Sequence, residues 1–269
     1  MIDSPLIQNA KYSDEKSSML PHRHNAYEML YVKSGEISLS MHGKEYEGKE
    51  GTLFFITNPD EHGTRVKKEP YERFFVTIQP SELYRYLSDK ALLYVFSGGV
   101  PQKNPGIWIQ NQKEKIETLF TEMIREYQSE KPYQNAYMGS LLQQILILSY
   151  REHPKHFFHS DTAFSPKLFG VKAFIDEHFF EDIRVSEMAK DFSISAGYLS
   201  RSFKLLTGFS PKQYIELLRL SRSKKLLLEK SLSVTDVSMQ CGFSDVNNFI
   251  RRFRENTGTT PRRYQAEGK

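Results

Sequence analysis

Three histidines and a carboxylate cluster early in the chain. His22-Arg-His24 is followed by Glu28, and His62 comes after the glycine-led run Gly51–Ile56. Imidazole nitrogens with a carboxylate are a donor set suited to zinc, iron or manganese. The same groups can hydrogen-bond an organic ligand or serve only to stabilise a core. With Tyr31 they make up the candidate effector pocket; His22, His24, Glu28 and His62 alone are the candidate metal ligands. Tyr27, Tyr31, Phe54 and Phe75 could line a sugar site or fill a β core. A second constellation lies downstream. Arg201 has Ser200 and Lys204 beside it, and Arg251 has Asn247 and Arg254. Basic and amide side chains on a short helix suit the base edges of the DNA major groove. The plain alternative is two solvated amphipathic helices.

Elements must position these groups. Glu28–Val32, Glu36–Ser40, Gly51–Ile56 and Arg73–Ile78 are short runs rich in aromatic and β-branched residues. Turn signals separate them at Lys33-Ser34-Gly35, His42-Gly43-Lys44, Asn58-Pro59-Asp60 and Glu69-Pro70. The spacing predicts a small barrel or sandwich. On a strand, His22 and His24 at i, i+2 would share a face. From Glu114 the period changes: Ile116, Leu119, Phe120, Met123, Ile124 and Tyr127 mark one helical face. Pro132 ends that helix, and a second is predicted from about Asn135 to Arg151. The apolar faces, Leu142 and Ile145 included, need a partner, either each other or a second subunit. His153–Pro166 lacks periodicity and reads as a linker between domains over 1–152 and 167–269.

The downstream domain contains an internal repeat. Val185-Ser-Glu-Met-Ala, Tyr198-Leu-Ser-Arg-Ser-Phe-Lys, Thr207-Gly-Phe-Ser-Pro and Tyr214 form one copy. Val234-Thr-Asp-Val-Ser, Asn248-Phe-Ile-Arg-Arg-Phe-Arg, Thr257-Gly-Thr-Thr-Pro and Tyr264 form the other, offset by 49 and then 50 residues. Ser186 and Thr235, each followed by an acid, are the expected N-caps of the first helices; Ser195 and Asp245 are those of the second. Gly242 supplies the permissive backbone of a helix-turn-helix connection. Leu199 and Phe203, like Phe249 and Phe253, lie four residues apart and should face the core.

Charge and composition bound the function. Residues 1–162 hold 19 basic and 21 acidic side chains, a net of −2; residues 163–269 hold 18 and 12, a net of +6. A basic third joined to a near-neutral remainder suggests a polyanion-binding module. The single cysteine, Cys241, excludes an internal disulfide and a cysteine-based zinc finger. The longest apolar stretch, Leu141–Leu148, is broken by Gln143 and Gln144 and falls short of the roughly 20 residues of a membrane span. The start, Met-Ile-Asp-Ser-Pro, has no signal-peptide character. A cytoplasmic protein is expected.

Residues from about 168 to 265 resemble the DNA-binding domain of the AraC/XylS family of bacterial transcription regulators. The resemblance is carried by Tyr198-Leu-Ser-Arg-Ser-Phe-Lys, Arg219-Leu-Ser-Arg-Ser-Lys-Lys-Leu-Leu, Gly242-Phe-Ser-Asp and Phe253 through Gly258-Thr-Thr-Pro-Arg-Arg-Tyr264. It implies two helix-turn-helix units joined by a long helix at about Pro211 to Leu228. It also implies base-reading positions at Gly197, Ser200 and Arg201, then Val246, Asn247, Ile250 and Arg251. Val246 and Ile250 cannot donate hydrogen bonds but could touch a thymine methyl. Gly208, Pro211, Gly258, Pro261 and Tyr264 read as structural, and Arg219 as a packing, ion-pair or phosphate contact.

The run His22-Arg-His24, Glu28, Gly35 resembles the first cupin motif; the second is loose, at Gly51 and Asn58-Pro59-Asp60-Glu61-His62. The fold class expected is thus a cupin-like β-barrel with two C-terminal helices, then an all-α domain with two helix-turn-helix units. The function expected is a sequence-specific transcription regulator, tilted toward activation, controlled by a small molecule such as a sugar. Its partners would be double-stranded promoter DNA, the effector, a second copy of the chain and RNA polymerase; no membrane partner and no cofactor are expected. The competing class is a metal-dependent cupin enzyme with a basic helical appendage.

Overall fold

The computed structural model describes residues 5–14, 18–41, 43–57, 59–87, 89–96, 104–129, 131–157, 165–229 and 232–267. Contacts divide the chain into two units, Met1–Pro166 and Lys167–Lys269. Residues 158–164 of the expected linker, and His42 and Asn58 of the expected turns, lie outside the described residues. No helix among the described residues is long and apolar enough to cross a membrane.

The first unit is a mixed α/β structure built on one antiparallel sheet. Its strands are β1 (Ile7–Ser13), β2 (Met19–His22), β3 (Tyr27–Met41), β4 (Lys44–Lys49), β5 (Thr52–Ile56), β6 (His62–Ile78) and β7 (Gly106–Trp108). Pairing follows the path β1-β6-β3-β5-β7, with β2 beside β6 and β4 beside β3. Two of the expected turns are not turns: β3 runs through Lys33-Ser34-Gly35 and β6 through Glu69-Pro70. The two long strands pair along both halves and absorb the irregularity as register shifts between Val32 and Ile37. Gly35 sits there at φ 82°, and a Cβ on it would lie 2.5 Å from the Lys68 carbonyl oxygen. Only glycine fits.

Period-2 alternation then sorts the side chains. Leu30, Val32, Ile37, Leu39, Met41, Phe54, Ile56 and Tyr71 form a buried cluster made only of strand residues, so the sheet curls over its own inner face. The opposite face carries Tyr31 and Phe74, which meet Phe120 of α2 (Lys113–Tyr127). Helix α1 (Pro80–Tyr86), a 3-10 turn at Lys90–Phe96 and α3 (Gln134–Glu152) complete the unit. On α3, Leu142 and Ile145 have no exposed surface within the single chain. Intrachain packing uses them, and the alternative of a second subunit on those residues is overturned.

The second unit is all-α: α4 (Pro166–His178), α5 (Val185–Asp191), α6 (Ala196–Thr207), α7 (Pro211–Leu228), α8 (Val234–Gln240), α9 (Val246–Thr257) and α10 (Pro261–Glu267). Ser195 and Asp245 cap α6 and α9 as expected, each accepting from backbone N–H groups of the first turn. The caps of α5 and α8 differ from expectation. Ser233, not Thr235, caps α8 in a reciprocal box with Asp236, and α5 follows Arg184 with no side-chain cap. Ser186 and Thr235 lie inside their helices. Leu199, Phe203, Phe249 and Phe253 are fully buried.

Candidate nucleic-acid interface and histidine cluster

Each of the two repeated segments is a short helix, a tight turn and a second helix: α5–α6 and α8–α9. The turns place one residue in the left-handed region, Ser193 at φ 51° and Gly242 at φ 85°. Burial of Leu199 and Phe203 fixes the rotation of α6 and turns Gly197, Ser200, Arg201 and Lys204 outward, all exposed. Phe249 and Phe253 do the same for α9, exposing Asn247, Arg251 and Arg254. Val246 and Ile250 are half-buried, Ile250 against the core below it. A surface groove of about 600 Å³ runs along α9, lined by Asn247, Ile250, Arg251, Arg254, Glu255 and the Gly258–Thr260 turn. Gly197 has open space where a Cβ would project, so its lack of a side chain is not imposed by packing.

The arginines are held differently. Arg251 donates to Glu255 at 3.1 Å and to the Asn248 side chain at 2.9 Å. Arg201 forms no hydrogen bond or ion pair among the described residues. Arg219 is not a surface phosphate contact: it donates to the backbone carbonyls of Phe179 (2.6 Å) and Glu181 (2.7 Å), tying α7 to the segment after α4. Burial lowers its basicity.

In the first unit the sheet brings three histidines together. His22 ends β2 and pairs with His62 at the start of β6; His24 follows in the connection to β3 rather than on the strand. Ligand nitrogens of the three rings lie within 4.8 Å of one another. Glu28, the second residue of β3, accepts from His24 Nε2 at 3.1 Å and lies 3.5 Å from His62 Nε2. Burial alone would raise the Glu28 carboxyl; His24 and His62 outweigh it and hold the carboxyl below its usual range. Burial lowers His62, but Glu28 reverses that and leaves it raised. His22 is lowered, by burial first and then by its two neighbouring rings.

Tyr31 does not join this cluster. It stands three residues from Glu28, hence on the other face of β3, where its hydroxyl donates to Glu117 of α2 at 2.9 Å. The expectation for Tyr31 is corrected on that ground. Sequence reasoning also missed polar groups that do share the inner face. Thr64, Tyr71 and Arg73 on β6 are at most 6% exposed, and Thr64 Oγ1, Tyr71 Oη and Arg73 Nε and Nη1 lack hydrogen-bond partners. His62 Nε2 is likewise without one. The available signal was the i, i+2 spacing of Tyr71 and Arg73 at the start of the strand-like run Arg73–Ile78.

Comparisons with known proteins agree with both units. Residues 11–146 match the family model described as AraC-like ligand binding domain, and residues 188–267 match the helix-turn-helix domain model. The HTH-type transcriptional activator RhaS of Enterobacter sp. is 28% identical over 247 residues, covering 90% of this chain and 85% of that protein. RhaS of Escherichia coli O1:K1 is 26% identical over the same shares. In structure, ToxT from Vibrio cholerae superposes with a TM-score of 0.58 over 96% of both chains at 14% identity, a likeness of fold. The cupin-enzyme alternative falls, because this is a family of transcription factors. The chain belongs to the AraC family of helix-turn-helix transcription regulators, with an AraC-like ligand-binding domain ahead of its DNA-binding domain.

Proposed function

We propose that this regulator activates transcription by placing α6 and α9 in successive major grooves of promoter DNA, under control of a small molecule bound by the β unit. The carrying observation is the repeat: Arg201 and Arg251 occupy equivalent exposed positions on two helices built on one plan. Gly197, Ser200, Lys204, Val246, Asn247, Ile250 and Arg254 complete the reading surfaces. Activation follows the curated relatives, which are named as activators. Footprinting of the full chain on its own promoter region tests this. Two protected patches about one helical turn, 10–10.5 base pairs, apart are expected. Affinity should fall steeply with salt. A folded chain with salt-insensitive or absent DNA binding overturns the reading.

The effector site is assigned to the inner face near His22, His24, Glu28 and His62. Their convergence amid buried apolar side chains is the composition of a ligand site. His24→Ala with His62→Ala should abolish the effector response while DNA binding in the absence of effector persists. A second reading is favoured by the nitrogen spacing alone: His22, His24 and His62, with Glu28 beside two of them, could hold a divalent metal. Stoichiometric metal in purified protein, lost in those variants, would select it. Closure of the curled sheet into a barrel, a cytoplasmic location, contact with RNA polymerase and homodimerisation belong to this proposal too. The dimer must use residues other than Leu142 and Ile145, and sedimentation of the intact chain measures it.

A further inference from the structure

The inner face of the sheet carries a guanidinium whose hydrogen-bonding capacity the protein itself leaves partly unused. Arg73 is 6% exposed, and its Nε and Nη1 have no partner. Its Cζ lies 5.6 Å from the ring centre of Tyr71 and 5.5 Å from that of Phe75, so the cation is seated between two aromatic rings. The Tyr71 hydroxyl, on a residue 2% exposed, has no well-formed hydrogen bond and neighbours the Arg73 guanidinium. Register places these groups on one face. Arg73 pairs with Val32, and both Val32 and Tyr71 belong to the inner cluster. Burying a guanidinium with two unmatched nitrogens opposes folding unless something compensates. Neighbouring inner-face positions give a way in: Phe75 and Thr77 are only half-buried, and Lys11 and Asn9 opposite them on β1 are exposed.

We propose that Arg73 and Tyr71 form an anion subsite, so that the effector carries a carboxylate or phosphoryl group rather than being a neutral sugar. This rests on the reading of the β unit as the ligand-binding part of the chain. Arg73 supplies charge and N–H donors from Nε and Nη1 to the anionic oxygens, and the Tyr71 hydroxyl adds a further donor. Unlike a surface arginine, Arg73 has little water to lose on capture, because the fold has already removed it.

The test measures melting of the full-length protein against phosphate and, separately, acetate, at constant ionic strength held with chloride. Wild type should gain stability saturably with at least one of the two. A stronger response to phosphate assigns a phosphoryl group; a stronger response to acetate assigns a carboxylate. Arg73→Met should need at least tenfold more anion for the same gain, and without anion it should melt no lower than wild type. Arg73→Lys keeps the charge and should respond at an intermediate level, which separates lost capture from lost folding. Anion bound by the second unit affects all three proteins alike, so the difference between them is the readout. Equal responses in wild type, R73M and R73K, or no response in wild type, overturn the subsite. If the subsite fails while His24→Ala with His62→Ala still abolishes the effector response, the effector reading stands and only its anionic character falls.

Discussion

In the first helix-turn-helix unit the turn is made by Ser193 at φ 51°, in the second by Gly242 at φ 85°. Below both turns the same ring contact recurs. Tyr214 meets Phe203 edge-on at 5.4 Å, and Tyr264 meets Phe253 edge-on at 5.4 Å. The hydroxyls diverge. Tyr214 donates to Asp176 at 2.7 Å and accepts from Lys172 at 2.6 Å, inside a fully buried network with α4. Tyr264 is half-buried and its hydroxyl has no hydrogen bond among the described residues. What is repeated is therefore the apolar geometry that sets the angle of the outer helix. What differs is how each unit is fastened: the first by a buried polar network, the second by caps and surface ion pairs. Duplicated folds conserve shape at the recognition helices and let the anchoring follow whatever helix lies behind.

The largest expected effect comes from the turns. A Cβ on Gly242 would lie 2.3 Å from the Phe180 carbonyl oxygen, on the backbone segment that Arg219 also grips. Gly242→Ala adds this clash to the left-handed penalty of about 1–2 kcal/mol, so a loss above about 2 kcal/mol is expected. Ser193→Gly removes such a penalty and should be neutral or slightly stabilising. Denaturant melts of both variants measure the contrast; equal effects would remove the distinction between the turns.

Next are the tyrosines. Tyr214→Phe strips one partner each from buried Asp176 and Lys172 and should cost about 1–3 kcal/mol. Tyr264→Phe should stay within about 0.5 kcal/mol, as at a site with no polar contact to lose. A large cost at Tyr264 would mean that its hydroxyl has a structural role of its own. At the interface, Arg201→Ala and Arg251→Ala should each cost about 1–3 kcal/mol of DNA binding and relax selectivity at one base pair. Uniform weakening on every sequence would reassign that arginine to phosphate.

Much of this comparison was legible in the sequence, because it rests on periodicity. The repeat offset, the core pairs Leu199/Phe203 and Phe249/Phe253, and the caps Ser195 and Asp245 are all local patterns, whereas the bounds of α7 follow from the family resemblance. The errors have physical causes. Ser233 and Thr235 are both hydroxyl residues near one helix start, and only the three-residue spacing from Ser233 to Asp236 separates them. Gly35 and Glu69-Pro70 have turn composition but lie at a bulge that two long strands share, which only their pairing reveals. Tyr31 falls on the opposite face because it stands an odd number of residues from Glu28 on one strand. Arg73 is not marked by the sequence, because a buried unpaired charge is a property of three-dimensional surroundings, and Glu72 beside it and the apolar run after it read as an ordinary strand edge.

The smallest effect probes why the two arginines differ. Arg251 finds Asn248 three residues before it and Glu255 four after, and it binds both. The positions equivalent to these around Arg201 are Tyr198 and Leu205, neither of which carries a carboxylate or amide. Under the proposed docking Arg201 would meet DNA unencumbered, whereas Arg251 shares its charge with Glu255, which also accepts from Arg252 at 3.2 Å. An exposed pair of this kind is worth under about 1 kcal/mol, and salt weakens it. Glu255→Gln should raise DNA affinity by a factor of about two to five at low salt, with the gain shrinking as salt rises. Leu205→Glu, on the exposed face of α6, should build the missing pair beside Arg201 and lower affinity by a similar factor. If Glu255→Gln instead weakens binding, Glu255 orients Arg251 toward its base rather than competing for it, and the second unit's ion pairs belong to recognition itself.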